Sequence, residues 1–202
     1  MPAQPDKRPD PDEILEDIRG DGQNKRGRLK IFFGYAAGVG KTYSMLDDAQ
    51  EQFRCGVDVL VGYVEPHTRP ETMQLLHGLP ALPPQNITYK NIEIKEFDLD
   101  EALKRKPELI LVDELAHSNA EGVRNKKRYQ DIEELLNAGI DVYTTVNVQH
   151  IESLNDVVQN ITKITVRETV PDYIFDHADK VKLIDIEPEE LLKRFEEGKV
   201  YS

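Results

Sequence analysis

The sequence predicts an α/β domain: an open, mostly parallel sheet with helices on both faces. Three observations predict it. Short apolar, β-rich runs alternate with helical patterns from residue 29 onward. The runs Val57–Val64 and Glu108–Val112 are nearly continuous in apolar residues, as strands covered on both faces are. The residues able to do chemistry fall just after such runs, at the strand ends where open α/β sheets bind ligands. A length of 202 residues suits one domain with additions.

Residues 1–28 are rich in proline and in charges of both signs, with a helical stretch over Asp12–Arg19, and read as an arm, partly disordered or docked. Residues 29–202 form the domain, with 160–202 as its C-terminal extension. Leu29–Phe33 is the first strand and runs into the glycine-rich segment Gly34–Thr42. The helix that follows carries Leu46, Ala49 and Phe53 on one face, and Gly56 is placed to stop it. Val57–Val64 is a second strand, followed by a loop and a helix. Residues 80–90 read as a proline-rich connection and Ile92–Phe97 as a minor strand. Helix Leu99–Lys106 precedes the buried strand ending in Asp113-Glu114. Helix Tyr129–Asn137 is closed by Gly139, and Ile140–Val148 is a strand. His150–Gln159 is a helix with Ile151, Leu154, Val157 and Val158 on one side. Ile164–Val170 and Val181–Ile186 are strand-like, and Pro188–Glu197 is a helix with proline in its first turn.

Charge narrows the partners. With 26 basic and 38 acidic residues the formal net charge is −12, which disfavours general binding to nucleic acid or an anionic leaflet. Every long apolar stretch is broken well before the ~20 residues of a membrane helix, and the acidic N-terminus lacks a signal's apolar core. A cytoplasmic chain without direct membrane insertion is expected. The single cysteine, Cys55, excludes an internal disulfide and a cysteine-based zinc cluster, and reads as a small buried hydrophobe near a helix end.

The most informative segment is Gly38-Val39-Gly40-Lys41-Thr42, set between an apolar strand and an amphipathic helix. Glycines let backbone N–H groups turn around phosphate oxygens, and the helix adds its positive N-terminal dipole. Lys41 is placed to reach terminal phosphates and Thr42 to ligate Mg2+. Tyr35 stands where the first glycine of G-x-x-x-x-G-K-[ST] belongs, with Gly34 one residue before it, so this is a variant P-loop. Asp113, at the end of an apolar strand, is the natural carboxylate on the magnesium side. Glu114 is either the group that polarises an attacking water or a solvated acid capping a helix. Asn147, with Thr144 and Thr145, can sense a terminal phosphate or merely satisfy a strand end.

Glu65, His67 and Arg69 follow the second strand toward the same edge. Arg124–Arg128 is the one basic cluster and reads as a solvated loop. His117 and His150 lack partners at metal-ligand spacing, so no zinc is assigned. Residues 167–202 read as an acidic solvated face.

LKIFFGYAAGVGKTYSML, GVDVLVGYVEPHTRPET, ELILVDELAHSNAEGVRNKKRYQDIEELLNAGIDVYTTVNVQHIESLNDVV and RETVPD together resemble the N-terminal cytoplasmic domain of the KdpD family of potassium-responsive sensor histidine kinases, over about residues 10–202. The resemblance implies a P-loop NTPase-like, ATP-binding regulatory domain. Its nucleotide loop would be Gly34–Thr42, with Ala37, Gly38, Val39, Gly40 and Lys41 at the nucleotide and Asp113 ending the second nucleotide motif. It implies ATP and Mg2+ as cofactors. It also implies partners in the rest of a sensor kinase, namely stress-like, membrane and kinase domains, or in another signalling protein. No helical phosphoacceptor histidine or kinase nucleotide box occurs in these 202 residues, so autophosphorylation by that chemistry is not expected of them. Three readings stand: a regulatory ATP-binding module; an active P-loop ATPase or nucleoside-type kinase using Glu114; and a fold that has lost nucleotide and only mediates contacts. A thymidine-kinase-like reading is disfavoured by the lack of cysteines for a zinc lasso.

Overall fold

The computed structural model describes residues 26–65, 69–89, 92–163 and 165–196. The arm over 1–25 with its helical stretch, His67, and residues 197–202 lie outside the described residues. Five parallel strands form the main sheet: β1 (Leu29–Gly34), β2 (Val59–Tyr63), β5 (Leu109–Val112), β6 (Asp141–Asn147) and β7 (Lys180–Ile184), in the order β2-β5-β6-β1-β7. The predicted α/β architecture is what forms.

The sheet's two faces follow from alternation along each strand. Ile31, Leu60, Ile110 and Val142 point to one core, shared with α3 (Leu99–Arg105) and α4 (Arg128–Asn137) through Ala102, Ile132 and Leu135. Phe32, Val59, Val61, Leu109 and Leu111 point to the other, filled by Met45, Leu46 and Ala49 of α1 (Lys41–Arg54). Met45, not Phe53, completes the buried stripe of α1. Phe53 and Cys55 lie past that stripe at the helix end and are exposed, so the expected burial of Cys55 is corrected.

The connection expected over 80–90 contains a strand, β3 (Gln85–Tyr89), which pairs antiparallel with β4 (Ile92–Glu96) as a separate hairpin. Pro83 and Pro84 end just before it, and Ile87-Thr88 are the β-branched residues such a ladder favours. The preceding Pro80–Leu82 lies along the outer edge of β2, where Val61 donates to the Pro80 carbonyl and accepts from the Leu82 N–H. This covers an edge that would otherwise offer unpaired backbone.

Of the strand expected over Ile164–Val170, Ile164 lies outside the described residues and residues 165–170 are not a strand. Both neighbours of β1 are already β6 and β7, so this segment finds no ladder and contributes one bridge, Val170 with Ile151. Between β6 and that segment lie a 3-10 turn, Val148–His150, and α5 (Glu152–Thr162). The apolar side expected there is largely solvent-facing: Ile151 is buried, but Leu154 and Val157 are exposed, Val157 to 53 %. The short α2 (Pro70–Gln74) and α6 (Asp172–Asp176) and the C-terminal α7 (Pro188–Glu196) complete the chain. The segment read as a C-terminal extension supplies β7 to the main sheet, beside β1. Among the described residues no helix is long and apolar enough to cross a membrane.

Candidate functional site

A cavity of about 960 Å³ opens at the carboxyl ends of the strands. Ala37–Thr42, Glu65, Arg69, Asp113, Glu114 and Asn147 all line it. The segments the sequence pointed to therefore meet at one sheet edge, because each follows a parallel strand and parallel strands end on the same side.

The loop from β1 to α1 is shaped by two glycines. Gly34 ends β1 where a Cβ would stand 2.7 Å from Val39 Cγ2 and 3.1 Å from the Lys41 side chain, so only glycine lets the loop fold back here. Gly40 has φ 106°, in the left-handed region that glycine enters at least cost, and its open side faces no atom within 4 Å. Tyr35 turns outward and donates its hydroxyl to the Ile186 carbonyl at 3.1 Å.

Lys41, the first residue of α1, is buried and donates to the Ala36 carbonyl at 2.9 Å. Burial lowers its ammonium to about 8, against the raising influence of Asp113 and Glu114. Thr42 donates its hydroxyl to Asp113 Oδ2 at 3.1 Å, joining the helix start to the end of β5. Asp113 Oδ1 accepts from the Thr145 hydroxyl and, at 3.1 Å, from the Glu114 N–H. Its buried carboxylate is therefore held from three sides. Asn147, opposite Gly34 in the β1–β6 register, keeps its Oδ1 buried without a hydrogen-bond partner.

Glu114 follows with φ 61°, left-handed backbone that costs a non-glycine residue on the order of 1 kcal/mol. That turn sends its side chain, 46 % exposed, into the cavity instead of onward along the strand. The surrounding protein raises its carboxyl, with Asp113 and Glu65 adding to the rise. Glu114 caps no described helix, and its half-exposed side chain faces the cavity.

The basic loop is solvated only in part: Arg124 and Lys126 are exposed, whereas its last residue is not. Arg128 is fully buried, donates to the Asp113 carbonyl at 3.2 Å and to Glu96 Oε2 at 3.1 Å, and stacks 4.1 Å over the Tyr63 ring. Arg124 pairs with Asp100 and Glu134, and Lys127 bonds the Ser118 hydroxyl. A buried acid, Glu96, unseen by a count of surface charge, draws Arg128 inward. Burial pushes Glu96 up, but His117, the Ala120 N–H and Arg128 together hold it below the ordinary range. Arg128 thus fastens the backbone of Asp113 from behind.

The acidic C-terminal stretch is likewise not only a solvated face. Glu168, Asp185 and Arg194 line the cavity, and Arg194 of α7 donates to the Gly38 carbonyl at 3.1 Å. Sequence reasoning missed Arg194 because it lies 156 residues from the loop it touches. Its spacing from Glu190, its partner at i,i+4, was the only local signal.

An all-parallel sheet whose strand β1, between β6 and β7, turns through glycines into a Lys-Thr helix start, facing an Asp-tipped strand, defines an α/β protein with a cavity built at its strand ends. The chain belongs to the KdpD family: the profile of the osmosensitive K+ channel His kinase sensor domain matches residues 25–202. It is 65 % identical to a sensor protein KdpD of Clostridium acetobutylicum over 196 residues, 96 % of this chain and 22 % of that one. It is 59 % identical to that of Escherichia coli K12 over 194 residues, 96 % of this chain and 21 % of the other. With that of Mycobacterium tuberculosis it shares 48 % over 178 residues, 88 % and 21 % of the two chains. The chain spans about a fifth of the length of these relatives.

Proposed function

We propose that this domain binds ATP with Mg2+ and, through that occupancy, regulates a KdpD-like sensor kinase that controls potassium uptake. The observation that carries the reading is the Thr42–Asp113 hydrogen bond of 3.1 Å, formed beside Lys41 at the mouth of a glycine-shaped loop. The residues present fit the ligand. Gly38–Thr42 offers backbone N–H groups at a helix start and Lys41 a cation, and Asn147 lines the same edge, where its amide N–H can donate to a phosphate while its oxygen can only accept.

Thr42 and Asp113 would hold the magnesium ion, which supplies charge neutralisation at the phosphates when bound. Lys41 meets the phosphates. Thr145 and the Glu114 N–H fix the Asp113 carboxylate in the rotamer that faces Thr42. Since, among the described residues, Lys41 and two arginines face six carboxylates on the cavity wall, phosphate is held by local geometry and not by the protein's overall field.

Calorimetric titration tests this. ATP should bind the wild type, and Lys41→Ala should weaken it at least tenfold. Asp113→Asn should weaken binding in magnesium more than binding in chelator. Absence of any heat at millimolar nucleotide would remove the reading, and equal losses for Asp113→Asn would remove the metal assignment.

A second reading, slow ATP hydrolysis, is favoured by the left-handed backbone and raised carboxyl of Glu114. Phosphate release should then fall at least a hundredfold in Glu114→Gln while ATP binding persists. Unchanged turnover would leave Glu114 without that role.

A further inference from the structure

We propose that Arg194 is a phosphate-sensing residue that couples occupancy of the loop to the C-terminal helix α7; the inference rests on the nucleotide reading and assigns that site a regulatory contact. Three observations carry it.

The first is charge. Among the described residues lining the cavity, Glu65, Glu71, Asp113, Glu114, Glu168 and Asp185 are acidic, against Lys41, Arg69 and Arg194. A polyphosphate entering that wall needs the arginines as well as Lys41, which is one charge and buried beneath the loop.

The second is the partner Arg194 now has. Its Nη1 donates 3.1 Å to the Gly38 carbonyl, a neutral dipole in the loop itself, and Arg69 Nη2 approaches the same oxygen at 3.4 Å. An anionic phosphate oxygen adds to a guanidinium's bond a charge attraction that a neutral carbonyl lacks, and the guanidinium fork fits two such oxygens at once. Arg194 therefore favours a phosphate in the loop over the Gly38 carbonyl.

The third is how Arg194 is mounted. Glu190 holds its Nε at 3.2 Å on the preceding turn of the same helix, so the guanidinium moves with α7 and not freely on its stem. One face of α7 is anchored by Leu191, which is buried, while Leu192 on the other is 63 % exposed. Phosphate arrival therefore draws a helix, and the relay runs from the loop through Arg194 to the end of the described chain.

The chain contains no tryptophan, so Leu192→Trp gives a single emitter on α7. In that background, calorimetry and fluorescence are run with ATP, ADP and AMP, each with Mg2+, and repeated with Arg194→Ala, Arg194→Lys and Lys41→Ala added. Saturable emission change is expected with ATP. Arg194→Ala should abolish it and weaken ATP about ten- to a hundredfold, AMP far less, with Arg194→Lys between. A phosphate-number dependence separates phosphate contact from general loosening of the fold, and thermal melts confirm that each variant is folded. If Arg194→Ala fails to fold, Arg194→Lys decides on the same criteria. If ATP binds and Lys41→Ala weakens it, but Arg194 variants bind ATP normally, lose ATP and AMP alike, or keep the emission change, the Arg194 inference falls and the nucleotide reading stands. If the parent binds no nucleotide, both fall together.

Discussion

Lys41 shows how one side chain can be set by two opposed demands. Burial beneath the loop takes its ammonium down to about 8 from an ordinary 10.5, although Asp113 and Glu114 favour the charge. The folded state releases this proton more readily than the unfolded chain, so the penalty of holding it charged is full below pH 8. It fades as pH rises from 8 toward 10.5, and stability from this residue grows over that window. Phosphate reverses the balance by favouring the charged form. Nucleotide affinity should therefore fall about tenfold per pH unit above 8, with proton uptake near pH 8 seen as a buffer-dependent binding enthalpy. Affinity that stays flat from pH 7 to 10 would exclude Lys41 as the phosphate cation. Lys41 was plain in the sequence because its neighbours in the chain are its neighbours in space. Glu114's position was plain too, but its left-handed backbone was not, since that comes from Asp113 and Thr145 holding its N–H.

At the scale of elements, the Arg128–Glu96 pair ties β4, α4 and the end of β5 together. Both side chains are almost wholly buried, so removing one strands the other without its partner. Arg128→Ala should cost about 3–5 kcal/mol in denaturant unfolding, and adding Glu96→Gln should recover part of it. A loss below 1 kcal/mol would mean that water already reaches the pair. The strands of the main sheet were legible because buried parallel strands read as unbroken apolar runs. The hairpin was half legible: Ile92–Phe97 alternates, while β3 hid behind Pro83-Pro84. Arg128 was not legible at all, because a run of five residues with four cations looks solvated until the buried Glu96 and the Asp113 carbonyl are placed beside it.

Taken whole, the molecule keeps its two cores apart on either face of one sheet and gathers the ends of four strands at one cavity. Ligand binding there touches the end of β6, the end of β7 at Ile184, and the segments that follow β1 and β5, so its energy should appear in global unfolding. Mg-ATP at a hundred times its dissociation constant adds about 2.7 kcal/mol, a rise in Tm of about 5–10 °C for a domain of this size. Lys41→Ala, at least tenfold weaker, should show about half that rise or less at the same nucleotide concentration, and an equal rise in that variant would place the ligand elsewhere. Cys55, the only thiol, stands exposed at the far end of α1, and the helix's 14 residues separate it from Lys41 by about 21 Å. A dye coupled there needs no substitution. Paired with a tryptophan at position 192, it makes the chain its own distance gauge, with the fixed mark on the helix that begins at the loop and the moving mark on α7.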